Sequence, residues 1–306
     1  MQKEKISLTA TVSLFARAYH NTEHAVTVFE DKVASTLLSK EEYRAIEAHM
    51  AKGISFFNPH FQGTAEQATR FVAREYLCPT PLSRAAFSEN ALDCASSLGA
   101  KQYILLGAGY DTFAYRQPLF AKEMQIFEID RPAVLADKIG SLARAEITPP
   151  ENVQYIAADF TKSGWETALL QSSAFDRAKP TFVSVLGVVY YLPTADFVRL
   201  LQILRDLLFV GSTLVFDYPD ENANTPKADV RAHKQAQLCY GAGERMYDGY
   251  SERTLTRLLS DCGFRVYEHL TPPEITAQYF SLYNRANPEH QMTAFPNVHF
   301  CLAVRK

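Results

Sequence analysis

The sequence predicts an α/β protein: a mostly parallel sheet of seven strands with helices on both faces. From residue 101 onward, short β-branched or aromatic runs alternate with helical patterns, the signature of βαβ units. A glycine-rich turn directly follows the first run, where such sheets bind ligands. No internal period or low-complexity tract points to a solenoid or propeller. At a prior of about 150 residues per domain, 306 residues suit one large or two small domains. The expected division is a helical cap over 1–98, contributing to a cofactor site, and a core over 99–306 with a lid insertion near 219–250.

Taken in order, residues 8–19, 25–38, 64–76 and 82–98 read as helices, the last two separated by Pro79 and Pro81. The strand runs are 103–106, 125–129, 153–157, 181–185 and 213–216. Between the last two, Phe197, Leu200, Leu201, Leu204, Leu207 and Leu208 make an i, i+3, i+4, i+7 stripe opened by Thr194 after Pro193 and closed by Gly211. That is a sheet-covering helix. A polar, turn-rich stretch follows at 219–226, then a helix-like segment to about Tyr240. A helix from Ser251 to Gly263, a strand at 264–267 and an apolar run at 298–304 complete the sheet.

Composition removes several functions. With 47% hydrophobic and 21% charged residues the chain is globular rather than disordered. Lys plus Arg number 31 against 34 Asp plus Glu, a net charge of −3 that leaves no basic surplus for nucleic-acid phosphates. The longest apolar runs, such as 182–192, fall short of the roughly 20 residues that span a bilayer, and the first residues are too polar for an export signal. Five cysteines without a CxxC pair argue for reduced, mostly buried thiols and a cytoplasmic protein.

The chemistry gathers at strand ends. After the first strand comes Leu106-Gly107-Ala108-Gly109-Tyr110-Asp111-Thr112. Its glycines allow a tight turn and close approach of a ligand. A dinucleotide fingerprint would place a third glycine at Thr112, so a cofactor without a pyrophosphate is favoured over NAD. Asp130, about twenty residues on, stands where an acidic side chain accepts from both ribose hydroxyls. Asp159 ends the third strand and is able to accept from an exocyclic amine. Each has a plain local explanation, the glycines as a turn and the aspartates as helix caps; together they fit an adenosine-containing ligand.

Six ordered blocks make the chain similar to the leucine carboxyl methyltransferase family, more closely to its bacterial polyketide-type O-methyltransferase branch. They are Arg84-Ala-Ala-Phe-Ser-Glu89, Gln102 to Arg116, Phe127-Glu-Ile-Asp-Arg-Pro132, Ala158-Asp-Phe160, Leu186-Gly-Val-Val-Tyr-Tyr-Leu192 and Phe216-Asp-Tyr218, within about residues 64–306. The resemblance implies a Rossmann-like class I fold binding S-adenosylmethionine. Arg84 would hold the cofactor carboxylate, Gly107 its methionine part, Asp130 the ribose and Asp159 the adenine amine. The implied cofactor-binding set is Arg84, Gly107, Ala108, Gly109, Asp111, Asp130, Asp159, Phe160 and Leu186. Members of the wider family often carry Glu where this chain has Leu186, which removes a carboxylate contact to the cofactor's amino group. A guanidinium is able to grip a free carboxylate bidentately, though without the resemblance Arg84 reads as a surface arginine on a helix.

Other constellations compete less well. His20-Asn-Thr-Glu23-His24 matches an H-x-x-E-H zinc pattern, but without a third ligand solvent-facing helix residues are the better reading, and no metal is expected. Tyr190, Tyr191 and Tyr218 lie just past strands four and five, where aromatic faces attract a sulfonium or pack the core. Glu244 and Asp248 are lid carboxylates, and no general base stands out. The leading expectation is an S-adenosylmethionine-dependent O-methyltransferase acting on a carboxylate or hydroxyl of a small molecule. The alternatives are a cofactor-binding sensor without turnover and a nicotinamide oxidoreductase.

Overall fold

A computed structural model describes residues 8–23, 26–247 and 249–306. Seven strands, β1 (Gln102–Leu106), β2 (Gln125–Asp130), β3 (Val153–Ala157), β4 (Thr181–Val185), β5 (Thr213–Pro219), β6 (Phe264–Leu270) and β7 (Val298–Arg305), form one sheet in the order β3-β2-β1-β4-β5-β7-β6. β1 to β5 pair in parallel, while β7 runs antiparallel to both β5 and β6. Strand order reverses between β1 and β4, and the crevice beyond that switch point is where an open α/β sheet takes its ligand.

Every residue of β1 and β4 is buried, as expected for strands covered on both faces. Side chains alternate between the faces. Tyr103 and Leu105 join one apolar cluster with the amino-terminal helices, whereas Ile104 and Leu106 join a second with Phe197, Leu200, Leu201 and Leu204. Those last four lie on the helix Thr194–Leu207, whose inward stripe follows the sequence reading.

Two helical expectations change. Residues 25–38 are not one helix: among the described residues only the turn Ala34–Leu37 is helical, and a separate helix runs over Lys40–Lys52. The break has two causes. Buried Asp31 accepts from Ala34 N–H and Thr112 Oγ1, and Ser39 with Glu42 forms a reciprocal capping box that starts the next helix. Pro79 and Pro81 do not interrupt the 64–98 region as read. The helix Ala65–Val72 passes through a π-turn, Ala73–Leu77, into the helix Pro79–Ser97, and prolines in a first helical turn sacrifice no hydrogen bond. Between β6 and β7 lie short helical pieces, Pro272–Ile275 and Ser281–Ala286.

Candidate functional site

The turn after β1 is built by left-handed glycines. Gly107 has φ +76° and Gly109 +47°, conformations that cost other L-residues about 1–2 kcal/mol. The N–H groups of Gly107 and Ala108 both reach Ile129 O, at 2.9 and 3.2 Å. A Cβ on Gly107 would lie 2.6 Å from Val188 Cγ2, with the Phe160 ring next nearest at 3.5 Å. The backbone there is pressed against the residues after β4 and leaves no room for a side chain. Asp111 closes the turn by accepting the N–H of Phe113 at 2.8 Å.

Asp130 ends β2 and is 7% exposed. Its Oδ2 accepts from Gly109 N–H at 2.8 Å and its Oδ1 from Arg131 N–H at 2.7 Å. Rather than capping the helix Pro132–Arg144, it ties two strand-end loops together. A carboxylate has about four acceptor positions, so capacity remains on both oxygens. Asp159, after β3, accepts from Thr161 N–H and Oγ1 at 3.1 and 2.5 Å and pairs with Lys162 Nζ at 3.0 Å. Partial burial pushes its carboxyl up, but the Thr161 and Lys162 contacts outweigh that and hold it below the ordinary aspartate value. It is ionised at neutral pH.

Arg84 reaches the crevice from the helix Pro79–Ser97. Its Nη1 lies 3.2 Å from Asp217 Oδ2 and its Nη2 3.4 Å from Ser13 Oγ. The guanidinium lies against Gly187, where a Cβ would come within 2.5 Å of Nη1. Asp217, fully buried on β5, also accepts from Gly187 N–H and Tyr190 OH. It stands in the block Phe216-Asp-Tyr218, which by itself does not mark it as a site residue. A charged side chain amid the apolar run 214–218 is the signal that announces it, since a buried carboxylate requires partners.

All nine residues of the sequence-derived set, Leu186 included, line one cavity of about 940 Å³. That lies near the upper end of the roughly 300–1,000 Å³ typical of small-molecule sites. Towards the amino-terminal segment and the insertion the lining mixes polar side chains, His49, Gln235, Glu244 and Arg245, with six apolar or aromatic ones, Met50, Phe56, Phe57, Tyr76, Leu238 and Met246. None of these six was singled out in the sequence. Lys234 Nζ donates to Phe57 O at 2.6 Å, fastening the inserted helix Val230–Gly241 to the amino-terminal segment. Tyr247 N–H reaches Tyr190 O at 2.8 Å and holds the far end of the insertion over β4.

The remaining candidates divide. Tyr190, Tyr191 and Glu244 line the cavity, whereas Tyr218 does not; it bonds His269 Nε2 at 2.7 Å on another part of the sheet. Asp248 and His24 lie outside the described residues. His20 is buried rather than solvent-facing: its Nε2 accepts Val28 N–H at 2.9 Å and its ring packs 5.2 Å from Tyr283. Those contacts occupy the imidazole structurally. Among the described residues no group of three or more His, Cys, Asp or Glu is placed to hold a metal ion.

The donor set fits an adenosyl amino acid. It offers carboxylates at two strand tips, a glycine turn too tight for a Cβ, and a guanidinium at the switch point. Together with the strand order, these features define a class I S-adenosylmethionine-dependent methyltransferase. The chain belongs to the leucine carboxyl methyltransferase family, whose model matches residues 10–205. Over 311 aligned residues it is 36% identical to the "Putative S-adenosyl-L-methionine-dependent methyltransferase YktD" of Bacillus subtilis (strain 168), covering 100% of both chains. Two solved structures share the fold at 16% identity. A DUF574 family protein from Streptomyces avermitilis has TM-score 0.56, with 85% of this chain and 100% of that one covered. A "putative methyltransferase" from Thermobifida fusca has TM-score 0.54, with 99% and 96% covered. The protein is thus an enzyme using S-adenosylmethionine, which replaces both the sensor and the nicotinamide readings.

Proposed function

We propose that the enzyme methylates a carboxylate or hydroxyl oxygen of a small molecule with an apolar, largely aromatic body, of the kind the polyketide-type branch acts on. The observation that carries this reading is the continuity of the cavity, from the charged strand tips to the wall of Met50, Phe56, Phe57, Tyr76, Leu238 and Met246. Room for the cofactor at the strand tips and apolar surface for an acceptor lie in one cavity.

S-adenosylmethionine, when bound, supplies an electrophilic methyl group on a sulfonium. In the proposed arrangement Arg84 holds the carboxylate of the amino-acid tail, and the 107–109 turn leaves its backbone open to the methionine part. Asp130 accepts from the ribose hydroxyls and Asp159 from the adenine amine, while Ala108, Asp111, Phe160 and Leu186 complete the walls. The protein's contribution is then positioning and exclusion of water, which supply most of the catalysis for an in-line displacement. A carboxylate acceptor needs no proton removed, whereas a hydroxyl acceptor would need a base, for which His49 and Glu244 both line the cavity.

Among the described residues no helix is long and apolar enough to cross a membrane. Cys78, Cys239, Cys262 and Cys301 are buried thiols and Cys94 an exposed one, which supports a reducing, cytoplasmic setting.

A mass-spectrometric screen of aromatic carboxylic acids, phenols and aliphatic alcohols with S-adenosylmethionine tests the reading. We expect a gain of one methyl on aromatic acids or phenols. Turnover confined to small, fully polar acceptors would refute it.

A further inference from the structure

We infer that Asp217 is the positioning residue for cofactor recognition, setting the place of the Arg84 guanidinium that receives the amino-acid tail; the inference rests on the proposed role of Arg84. Asp217 does not line the cavity and has no exposed side-chain surface. Its influence on a ligand therefore passes through its partners. Three donors fix it: Gly187 N–H at 2.6 Å, Tyr190 OH at 2.9 Å and Arg84 Nη1 at 3.2 Å. Gly187 follows β4 and Tyr190 lies on the 3-10 turn Val189–Tyr191, so the carboxylate clamps one strand end to the arginine of a distant helix.

The geometry leaves Arg84 little freedom. Asp217 holds one corner of the guanidinium, Ser13 Oγ approaches another at 3.4 Å, and the group lies so close to Gly187 that a Cβ there would meet it. Arg84 is 18% exposed, and it lines the cavity. The remaining donors of its fork are thus presented to the cavity before any ligand arrives. A guanidinium held in advance loses less freedom on gripping a carboxylate than a mobile one. Tyr190 is a dependable third donor, because burial and then the neighbouring Asp217 charge push its phenol well above the usual range. It stays protonated at neutral pH.

The test separates the tail from the rest of the ligand. S-adenosylhomocysteine carries the amino-acid tail and 5′-methylthioadenosine lacks it, and calorimetry reads the affinity of each. Asp217→Asn should weaken S-adenosylhomocysteine roughly tenfold, the value of a charge-assisted contact, and leave 5′-methylthioadenosine unchanged. A purely structural role would weaken both ligands together, so equal losses, or no loss for either, would overturn the inference. Arg84→Met runs in parallel. Selective loss in Arg84→Met without any in Asp217→Asn would overturn the role of Asp217 while leaving that of Arg84 standing. No selective loss in Arg84→Met would remove both. Should Asp217→Asn prove insoluble, Tyr190→Phe removes one donor from the same carboxylate. It should weaken S-adenosylhomocysteine about threefold and leave 5′-methylthioadenosine alone; parity between the two would again refute the assignment.

Discussion

The Oδ2 of Asp130 accepts the N–H of Gly109 at 2.8 Å, so the carboxylate at the tip of β2 fixes the glycine turn that follows β1. One residue therefore shapes the loop and faces the cavity. Replacing it with alanine should cost binding through both effects. We expect Asp130→Ala to weaken S-adenosylhomocysteine by about 2 kcal/mol or more, with Asp130→Asn intermediate. Titration calorimetry on the purified variants measures it, and unaltered affinity would take Asp130 out of the site.

Gly107→Ala combines two penalties: a positive φ and a Cβ placed 2.6 Å from Val188 Cγ2. The strain and overlap should together destabilise the fold by about 2–4 kcal/mol. Truncating the neighbour relieves only the overlap, so Gly107→Ala with Val188→Ala should recover part of the loss relative to Val188→Ala alone. Chemical denaturation of the four proteins reads the cycle, and strict additivity would contradict the contact.

Lys138 and Glu128 form an ion pair at 2.6 Å with no exposed side-chain surface on either partner. Glu128 also receives the Tyr115 hydroxyl. Lys138→Met strands the carboxylate in the interior and should cost about 3–5 kcal/mol of stability. The double variant Lys138→Met with Glu128→Leu should regain much of it. Urea denaturation decides between that outcome and a single variant as stable as the wild type.

His269 and His299 stack at 5.2 Å beside Tyr218. Burial lowers both imidazoles below 6.5, and for His299 the neighbouring His269 adds to it; Glu252 and Glu274 oppose the shift at His269, as do Asp220, Glu221 and Glu252 at His299. Because the folded state binds these protons more weakly than the unfolded chain, stability is present above about 6.5 and declines as pH falls towards the depressed values. Melting temperatures between about pH 8 and pH 5 should show that decline. His299→Phe, which keeps an aromatic ring, should flatten it. An unchanged slope would show that other groups govern the acid side.

Much of this was legible in the sequence, for identifiable reasons. β1 and β4 are buried on both faces and so read as largely apolar runs, and Gly107, Asp130 and Asp159 stand at the ends of strand runs, where spacing locates them. Asp217 was not legible as a clamp, because its partner Arg84 stands 133 positions away and no local pattern couples them. The helix Lys40–Lys52 opens on a capping box of Ser39 and Glu42, but it buries none of its residues, so only a weak apolar stripe marks it in the sequence. The apolar wall joins Met50, Phe56, Phe57 and Tyr76 to Leu238 and Met246 from the insertion. Only the chain's path brings those segments together.

The most direct measurement compares S-adenosylhomocysteine with its 2′-deoxyribose counterpart on the wild type and on Asp130→Ala. If the ligand's ribose lies at the tip of β2, deleting the hydroxyl should cost the wild type roughly tenfold in affinity and the variant almost nothing, because the same contact has already gone. An equal loss in both proteins would mean that the ribose lies elsewhere, and would contradict the placement of the cofactor across these strand ends.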